Sequence, residues 1–197
     1  MTRQDAVDRT IKLLEDVGIG PDRINSYPHE FSGGMKQRVV IALAMALSPK
    51  LLIADEPTSA LDVVTQKQIL TLLKREITRN GQSMLFITHE IALLNGLVDD
   101  IAIMYAGEIV EKGALKDVLA EPLHPYTEML LSTILTLDSP MKDLSGYTGS
   151  SERSILKGMN QCRYSNRCKY VFDKCRRERP LLKATEKGRL VACHKYN

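Results

Sequence analysis

The stretch Leu51–Asp62, LLIADEPTSALD, decides the fold of this chain. Its first four residues form an apolar run without alternation, which is typical of a parallel β-strand buried on both faces. The run ends at Asp55-Glu56, and ligands of α/β proteins bind where such strands end. One carboxylate there can hold Mg²⁺ through water, and the next can orient a water that attacks a phosphate. An Asp-Glu pair before Pro57 fits a simple turn cap equally well.

Helices and strands alternate on both sides of this stretch. Upstream, apolar residues at helical spacing predict helices over 3–17 and 32–47, with a loop over 21–31 between them. Downstream, we expect a helix over 63–79 and a second buried strand over 84–87. The expected apolar face of the downstream helix consists of Val63, Leu70, Leu73 and Ile77. This alternation indicates an α/β layer architecture.

The rest of the chain is less regular. Two strands, 101–105 and 108–111, are joined at Ala106-Gly107, and residues 114–136 predict helix interrupted by two prolines. Residues 138–158 are rich in Ser, Gly and Pro, which indicates a linker.

Two further features carry chemistry. Ser32 precedes Gly33-Gly34 at the start of a helix, where backbone N–H groups and the helix dipole favour an anion. Such a sequence is more often only a helix cap. His89 ends the second buried strand, beside the carboxylate strand, and from there it could reach the same phosphate. Alone, a histidine in this position is more often structural.

The order of these motifs resembles the ATP-binding subunits of ABC transporters. FSGGMKQR at 31–38 is similar to the family's signature motif, with Met35 where many members have Gln. The resemblance implies that LLIADE is the Walker B motif, SALD at 59–62 the D-loop and His89 the switch histidine. It implies Asp55 as the magnesium residue and Glu56 as the catalytic base. The positions implied to contact nucleotide are Ser32, Gly33, Gly34, Met35, Gln37, Asp55 and Asp62.

Other stretches resemble the oligopeptide and dipeptide importers within that family. They are YPHEFSGGMKQR at 27–38, MYAGEIVEKG at 104–113, PLHPYT at 122–127 and a C-terminal extension with four cysteines. The resemblance implies a partial P-loop NTPase sheet over 1–113 and a small extension over 114–197. It implies ATP and Mg²⁺, hydrolysis that drives peptide import, a second ATP-binding subunit, membrane permease subunits and, indirectly, a peptide-binding protein. Nickel or another small solute stays open as an alternative cargo.

The P-loop sequence GxxxxGK[ST] does not occur in these 197 residues. The resemblance places it upstream of Met1, so we expect a fragment, the product of a broken reading frame, or a late start. Without the P-loop lysine and amide nest, we expect the chain's own ATP site to be inactive. Ser32–Gly34 could still cap ATP that is held by an intact partner subunit.

Charge divides the chain into two parts. Residues 1–139 carry 13 Lys or Arg and 19 Asp or Glu, whereas residues 140–197 carry 14 Lys or Arg and 5 Asp or Glu.

The longest apolar run, Val39–Leu47, is too short to span a bilayer, and the first 15 residues do not resemble a secretory signal. We therefore expect a protein of the cytosol, held at the cytoplasmic face of the membrane by its partners.

All four cysteines lie in the basic tail, spaced C-x5-C-x6-C-x17-C. The spacing lacks the tight pairs of zinc sites, whereas an iron–sulfur cluster tolerates varied spacing. A cluster, zinc and free thiols all stay open for Cys162, Cys168, Cys175 and Cys193.

Two other functions remain as alternatives. Basic residues interleaved with Tyr164, Tyr170 and Phe172 could bind nucleic acid, as in an ABC-type ATPase that acts on DNA or RNA. A non-catalytic remnant is the third hypothesis.

Overall fold

The computed structural model describes residues 2–135 and 160–196 and forms two compact units, Met1–Glu90 and Ile91–Asn197. The linker predicted over 138–158 lies outside the described residues. The predicted domain boundary after residue 113 stays a prediction. The strand pair that precedes it, at 100–114, belongs to the second unit.

The first unit contains three helices and two strands in the predicted order. The helices are α1 (Arg3–Asp16), α2 (Gly33–Met45) and α3 (Val63–Asn80), and the strands are β1 (Leu51–Asp55) and β2 (Ser83–Ile87). The loop predicted over 21–31 contains two short 3-10 turns, Pro21–Arg23 and Pro28–Glu30.

Side-chain caps explain where these helices begin. Thr2 and Asp5 form a reciprocal capping box at α1, and the Ser32 hydroxyl accepts a hydrogen bond from the Met35 amide at α2. Asp62 accepts the amides of Val64 and Thr65 at the start of α3. At the other end of α3, Gly81 is left-handed at φ 60° and forms the C-cap.

The two strands pair in parallel, in register from Leu51 opposite Ser83 to Asp55 opposite Ile87. The expectation that both faces are buried is wrong for the described structure. Leu52 and Ala54 are buried, but Leu51 and Ile53 are 53% and 61% exposed. Successive side chains of a strand point to opposite faces, and only one face of this sheet packs on the helices.

The core of the first unit lies between the three helices and the inner face of the sheet. Ile69 and Leu73 of α3 are fully buried there, while Val63 is exposed, so its predicted place on the buried face is wrong. Val63 lies six residues before Ile69, and at 3.6 residues per turn that places it about 120° around the helix from Ile69. Helices α2 and α3 approach closely where they begin, because a Cβ on Gly34 would lie 2.6 Å from Thr65 Cγ2.

The second unit is built on an antiparallel hairpin, β3 (Asp100–Tyr105) and β4 (Glu108–Ala114). Ala106 and Gly107 form its turn with φ of 50° and 81°, the positive values that a type I′ turn requires. Two short strands of the tail, β5 (Lys183–Ala184) and β6 (Leu190–Val191), extend the sheet in the order β3-β4-β6-β5. The sequence did not predict these two strands.

The described residues of the second unit also form three short α-helices: α4 (Leu115–Ala120), α5 (Pro125–Leu135) and α6 (Asp173–Arg177). Pro125 begins α5 rather than interrupting it, since proline suits the first helical position. Tyr105, Tyr126 and Tyr164 pack as a cluster with ring centroids 4.6–5.6 Å apart. In the described part of the chain, no helix has both the length and the apolar composition to cross a membrane.

Candidate functional site

Glu56 and His89 meet at one edge of the β1–β2 sheet. Glu56 follows β1 and His89 lies just beyond the end of β2, and the two strands are parallel neighbours. His89 Nδ1 lies 2.7 Å from Glu56 Oε1, and both side chains reach solvent. The parallel pairing therefore places an accessible carboxylate–imidazole pair where α/β proteins bind ligands.

The backbone holds Glu56 in an unusual conformation. Its φ is 46°, in the left-handed region that non-glycine residues rarely adopt. Its amide donates to Ile87 O at 2.9 Å, and the Ser59 hydroxyl donates to Glu56 O at 2.7 Å. Ala60, four residues on, is also left-handed at φ 62°. Such strain persists where surrounding bonds enforce it, and it is concentrated at functional sites.

The pair shifts the titration of both of its members. The hydrogen bond from His89 lowers the pKa of Glu56, and the hydrogen bond to Glu56 raises the pKa of His89 from its ordinary 6.5. The two shifts have one cause: the charged imidazolium and the charged carboxylate stabilise each other.

We expect the Glu56→Gln variant to return the His89 pKa toward 6.5, because it removes the charged acceptor. The stability that the pair contributes needs both charges, so it is lost as pH rises through the raised pKa of His89 and as pH falls through the lowered pKa of Glu56. Titration of the imidazole nitrogens by NMR measures this shift. His29, an exposed histidine in the same unit, serves as the internal control. An unchanged His89 pKa in the variant would contradict the pairing.

The start of α2 forms the second part of the candidate site. Ser32 and Gly33 are exposed, and a Cβ on Gly33 would make only an ordinary contact with Leu61 Cδ2 at 3.9 Å. The helix therefore presents its free amides to solvent beside the loop that ends at Asp62. Of the other predicted contacts in α2, Met35 packs against the core and Gln37 is half-buried.

The two predicted aspartates have different surroundings. The exposed Asp55 carboxylate makes no hydrogen bond or ion pair within the described residues, so its oxygens are available to a cation. Asp62 caps α3 instead, and its Oδ2 accepts from the Thr65 hydroxyl at 2.6 Å. These bonds, with that of the Thr65 hydroxyl first, lower the pKa of Asp62. The capping role explains why aspartate suits this position even without a ligand.

Sequence reasoning did not select several polar neighbours of the pair. The Gln66 amide lies 3.4 Å from both Thr58 Oγ1 and Glu90 Oε1, and Ser59 Oγ is 3.5 Å from Glu56 Oε2. The only sequence signal for them was their position within or next to the quoted motifs.

The four cysteines lie in the second unit as free thiols. Burial raises the pKa of Cys162 to about 11, and proximity to the other three cysteines contributes in the same direction. The Cys162 amide donates to Cys175 O at 2.9 Å, so the backbones of two of the four cysteines are hydrogen-bonded to each other. Within residues 2–135 and 160–196, no group of three or more His, Cys, Asp or Glu is arranged to hold a metal ion.

Two family profiles match this chain. Residues 2–59 match the ABC transporter family, and residues 110–175 match the C-terminal region of oligopeptide/dipeptide transporters. The chain is thus similar to ABC transporter proteins over its first part and to the oligopeptide/dipeptide branch over its second. The match over 2–59 includes the α2 start and the carboxylates after β1, and the second match reaches into the cysteine-bearing tail.

Curated relatives are similar over nearly the whole chain. It is 40% identical to the oligopeptide transport ATP-binding protein AppD of Bacillus subtilis, over 100% of this chain and 60% of AppD. It is 39% identical to the oligopeptide transport ATP-binding protein OppD of Salmonella typhimurium, over 99% of this chain and 58% of OppD. The chain thus spans about three-fifths of the length of the curated relatives it matches.

Solved structures of the family share the fold. The dimeric cassette MJ0796, in a post-hydrolysis state bound to ADP and Pi, superposes with a TM-score of 0.52 at 31% identity. The match covers 58% of this chain and 49% of the MJ0796 chain. The predicted α/β class with an ABC ATPase sheet is thereby confirmed.

Proposed function

We propose that this chain is part of the energy-coupling ATP-binding subunit of an ABC importer for short peptides. The observation that carries the proposal is the Glu56–His89 pair, joined at 2.7 Å on the edge of a parallel sheet, in a chain whose residues 2–59 match the ABC transporter family. Similarity to oligopeptide transport ATP-binding proteins along the whole chain supports the peptide cargo.

Where a P-loop holds ATP at this sheet edge, the residues there would divide the chemistry of ATP hydrolysis among them. Mg²⁺, when bound, neutralises charge that develops on the phosphates. Asp55 would hold it, because its carboxylate is exposed, unpaired within the described residues, and of the oxygen type that Mg²⁺ prefers. Glu56 orients and polarises the attacking water, and its lowered pKa keeps it ionised. His89 holds Glu56 through their hydrogen bond and would contact the terminal phosphate.

The start of α2 acts on a different nucleotide. Ser32, Gly33 and Gly34 direct free amides at an anion, and we propose that this anion is the ATP held by the P-loop of a second subunit. The dimeric state named for the MJ0796 structure supports such an arrangement. Membrane permease subunits would hold the two ATP-binding subunits at the cytoplasmic face of the membrane. In this proposal residues 1–113 form the nucleotide-binding part and residues 114–197 the branch-specific extension.

The test uses the full 197-residue chain mixed with a P-loop-containing peptide-transport subunit whose own signature glycine is replaced by aspartate. Only this chain can then complete the partner's site, so we expect ATP hydrolysis from the mixture and none from either component. Gly33→Asp in this chain places a carboxylate at the anion site without a clash and should lower that rate about 100-fold or more.

Asn25→Asp adds the same charge at an exposed position of the same unit and serves as the control. We expect it to leave the rate unchanged. Equal rates for both variants would refute the proposed role of Gly33, and micromolar ATP binding by the isolated chain would refute the inactive-site expectation.

For the tail we propose an iron–sulfur cluster held by Cys162, Cys168, Cys175 and Cys193. Their thiols are the donor type that such clusters use, and basic neighbours stabilise a cluster that is net negative. Because the described side chains form no ligand group, the cluster would have to draw the four sulfur atoms together. We expect a broad absorbance band near roughly 400 nm after anaerobic purification, and its loss in Cys175→Ser. A colourless protein that contains stoichiometric zinc, or no metal, would exclude the cluster.

A further inference from the structure

One exposed surface of the second unit combines aromatic rings with lysines. We call it the basic-aromatic surface, and it comprises Lys169, Tyr170, Phe172, Lys195 and Tyr196. Lys195 Nζ lies 4.9 Å from the Tyr170 ring centroid and 5.4 Å from that of Tyr196. Phe172 stands 6.3 Å from the ring of His194, the residue next to Lys195. These contacts make the five residues one continuous patch.

The apolar part of this surface is not covered within the described structure. Tyr170, Phe172 and Tyr196 are 43%, 45% and 37% exposed. Aromatic rings grouped in this way on a surface mark an interaction site more often than scattered apolar residues do. The patch therefore calls for a partner that accepts aromatic side chains and positive charge together.

The surrounding charge selects an anionic partner. Residues 160–196 carry 11 Lys or Arg against 3 Asp or Glu. Glu128 is the acid that faces the patch: it pairs with Lys169 at 3.0 Å and accepts from the Tyr170 hydroxyl at 3.2 Å. On α6, Lys174 and Arg177 face Glu178 and Asp173 at 3.9 and 3.5 Å, so the excess of positive charge comes from Lys195 and the other cations of residues 160–196.

The geometry of Tyr170 favours a lipid surface over nucleic acid. Stacking of a nucleotide base needs a free ring face. The ammonium groups of Lys169 and Lys195 both lie within 5 Å of the Tyr170 ring centroid, where a base would have to stack. A bilayer interface instead accepts tyrosine and phenylalanine among the headgroups while lysines reach the phosphates.

We propose that the basic-aromatic surface binds the headgroup region of an anionic phospholipid bilayer. The aromatic rings enter the interface, and Lys169 and Lys195 contact lipid phosphates. The surface acts without the Glu56–His89 pair, so it adds a direct membrane contact to the one that permease subunits would provide.

The test is co-sedimentation of the full 197-residue chain with vesicles of phosphatidylcholine, alone or with about one-third phosphatidylglycerol. We expect binding to the anionic vesicles only, weakened by added salt because the charges are exposed. Lys195→Glu should lower the partition coefficient about tenfold or more, and Phe172→Ser about fivefold, while Lys195→Arg retains binding.

Matched controls lie on α4 of the same unit. Lys116→Glu repeats the charge reversal, and Leu119→Ser repeats the loss of an exposed apolar side chain. Both should bind vesicles as the unchanged chain does, and circular dichroism checks that every variant is folded.

The proposal would be overturned if the unchanged chain did not bind anionic vesicles, or if the control variants lost as much binding as the test variants. It would also be overturned if single-stranded DNA displaced the chain from vesicles and the Phe172→Ser variant failed to bind that DNA. The last result would assign the surface to nucleic acid. None of them changes the hydrolysis expected from the mixed subunits, so this proposal and the proposed function fail separately.

Discussion

The Glu111→Ala variant is expected to lose about 3–5 kcal/mol of unfolding free energy in the second unit. Glu111 is fully buried on β4, and its carboxylate accepts the amides of Leu123 and His124 at 2.9–3.2 Å. It also pairs with the buried Arg189 at 3.3 Å. Alanine would leave a buried guanidinium without its counter-charge and the amides of Leu123 and His124 without this acceptor. The loss is a large share of the 5–15 kcal/mol that stabilises an ordinary domain.

Urea unfolding followed by near-ultraviolet circular dichroism measures this loss, because the Tyr105–Tyr126–Tyr164 cluster lies in the same unit and the chain contains no tryptophan. Glu121→Ala is the matched control, since its partner Lys187 is exposed and exposed pairs contribute at most about 1 kcal/mol. A Glu111→Met/Arg189→Met double variant should recover much of the loss. A cost for Glu111→Ala no larger than that of Glu121→Ala would show that the buried pair is not what stabilises the unit.

The Glu56–His89 pair was predictable because its parts are local to two strands. Each side chain follows an apolar run, and parallel neighbours bring their carboxyl ends to the same edge. Nothing in the sequence showed the positive φ of Glu56. That conformation depends on hydrogen bonds that form only in the folded chain, one donated by the Glu56 amide to Ile87 O and one accepted by Glu56 O from the Ser59 hydroxyl.

The Glu111–Arg189 pair could not be predicted, because its members are 78 residues apart. The strand β6, which pairs with β4 at Glu111, is only two residues long. A segment of that length has no periodicity, and its pairing is decided by contacts distant in sequence. The sequence therefore predicted the tail only as an extension with cysteines, although β5 and β6 of the tail belong to the same sheet as β3 and β4.

The outer face of β1–β2 shows a different limit of sequence reasoning. Leu51 and Ile53 have the composition of a strand buried on both sides, yet they are exposed in the described structure. An apolar run indicates what a strand is able to bury, but not whether a covering layer is present. The inner face was predictable because α1, α2 and α3, which cover it, are all visible in the sequence pattern.

The Ile69→Ala variant is expected to destabilise the first unit by about 2–5 kcal/mol. Ile69 lies at the centre of α3 with no exposed surface, among Leu14, Ile41 and Leu72 of the same core. Alanine removes three methyl or methylene groups and leaves a cavity that helices on several sides cannot close. The gain in helix propensity from isoleucine to alanine, at most about 0.7 kcal/mol, offsets only a small part of the loss.

The measurement is urea unfolding followed at 222 nm, where the three long helices of the first unit dominate the signal. Leu43→Ala on α2 truncates an apolar side chain of similar size that is exposed, and we expect it to change stability by no more than about 0.5 kcal/mol. The contrast between the two substitutions separates burial from helix propensity, since both place alanine inside a helix. Similar small losses for both variants would mean that the buried face of α3 does not stabilise the core. In that case α3 would support the loop from Asp55 to Asp62 only through the Asp62 cap.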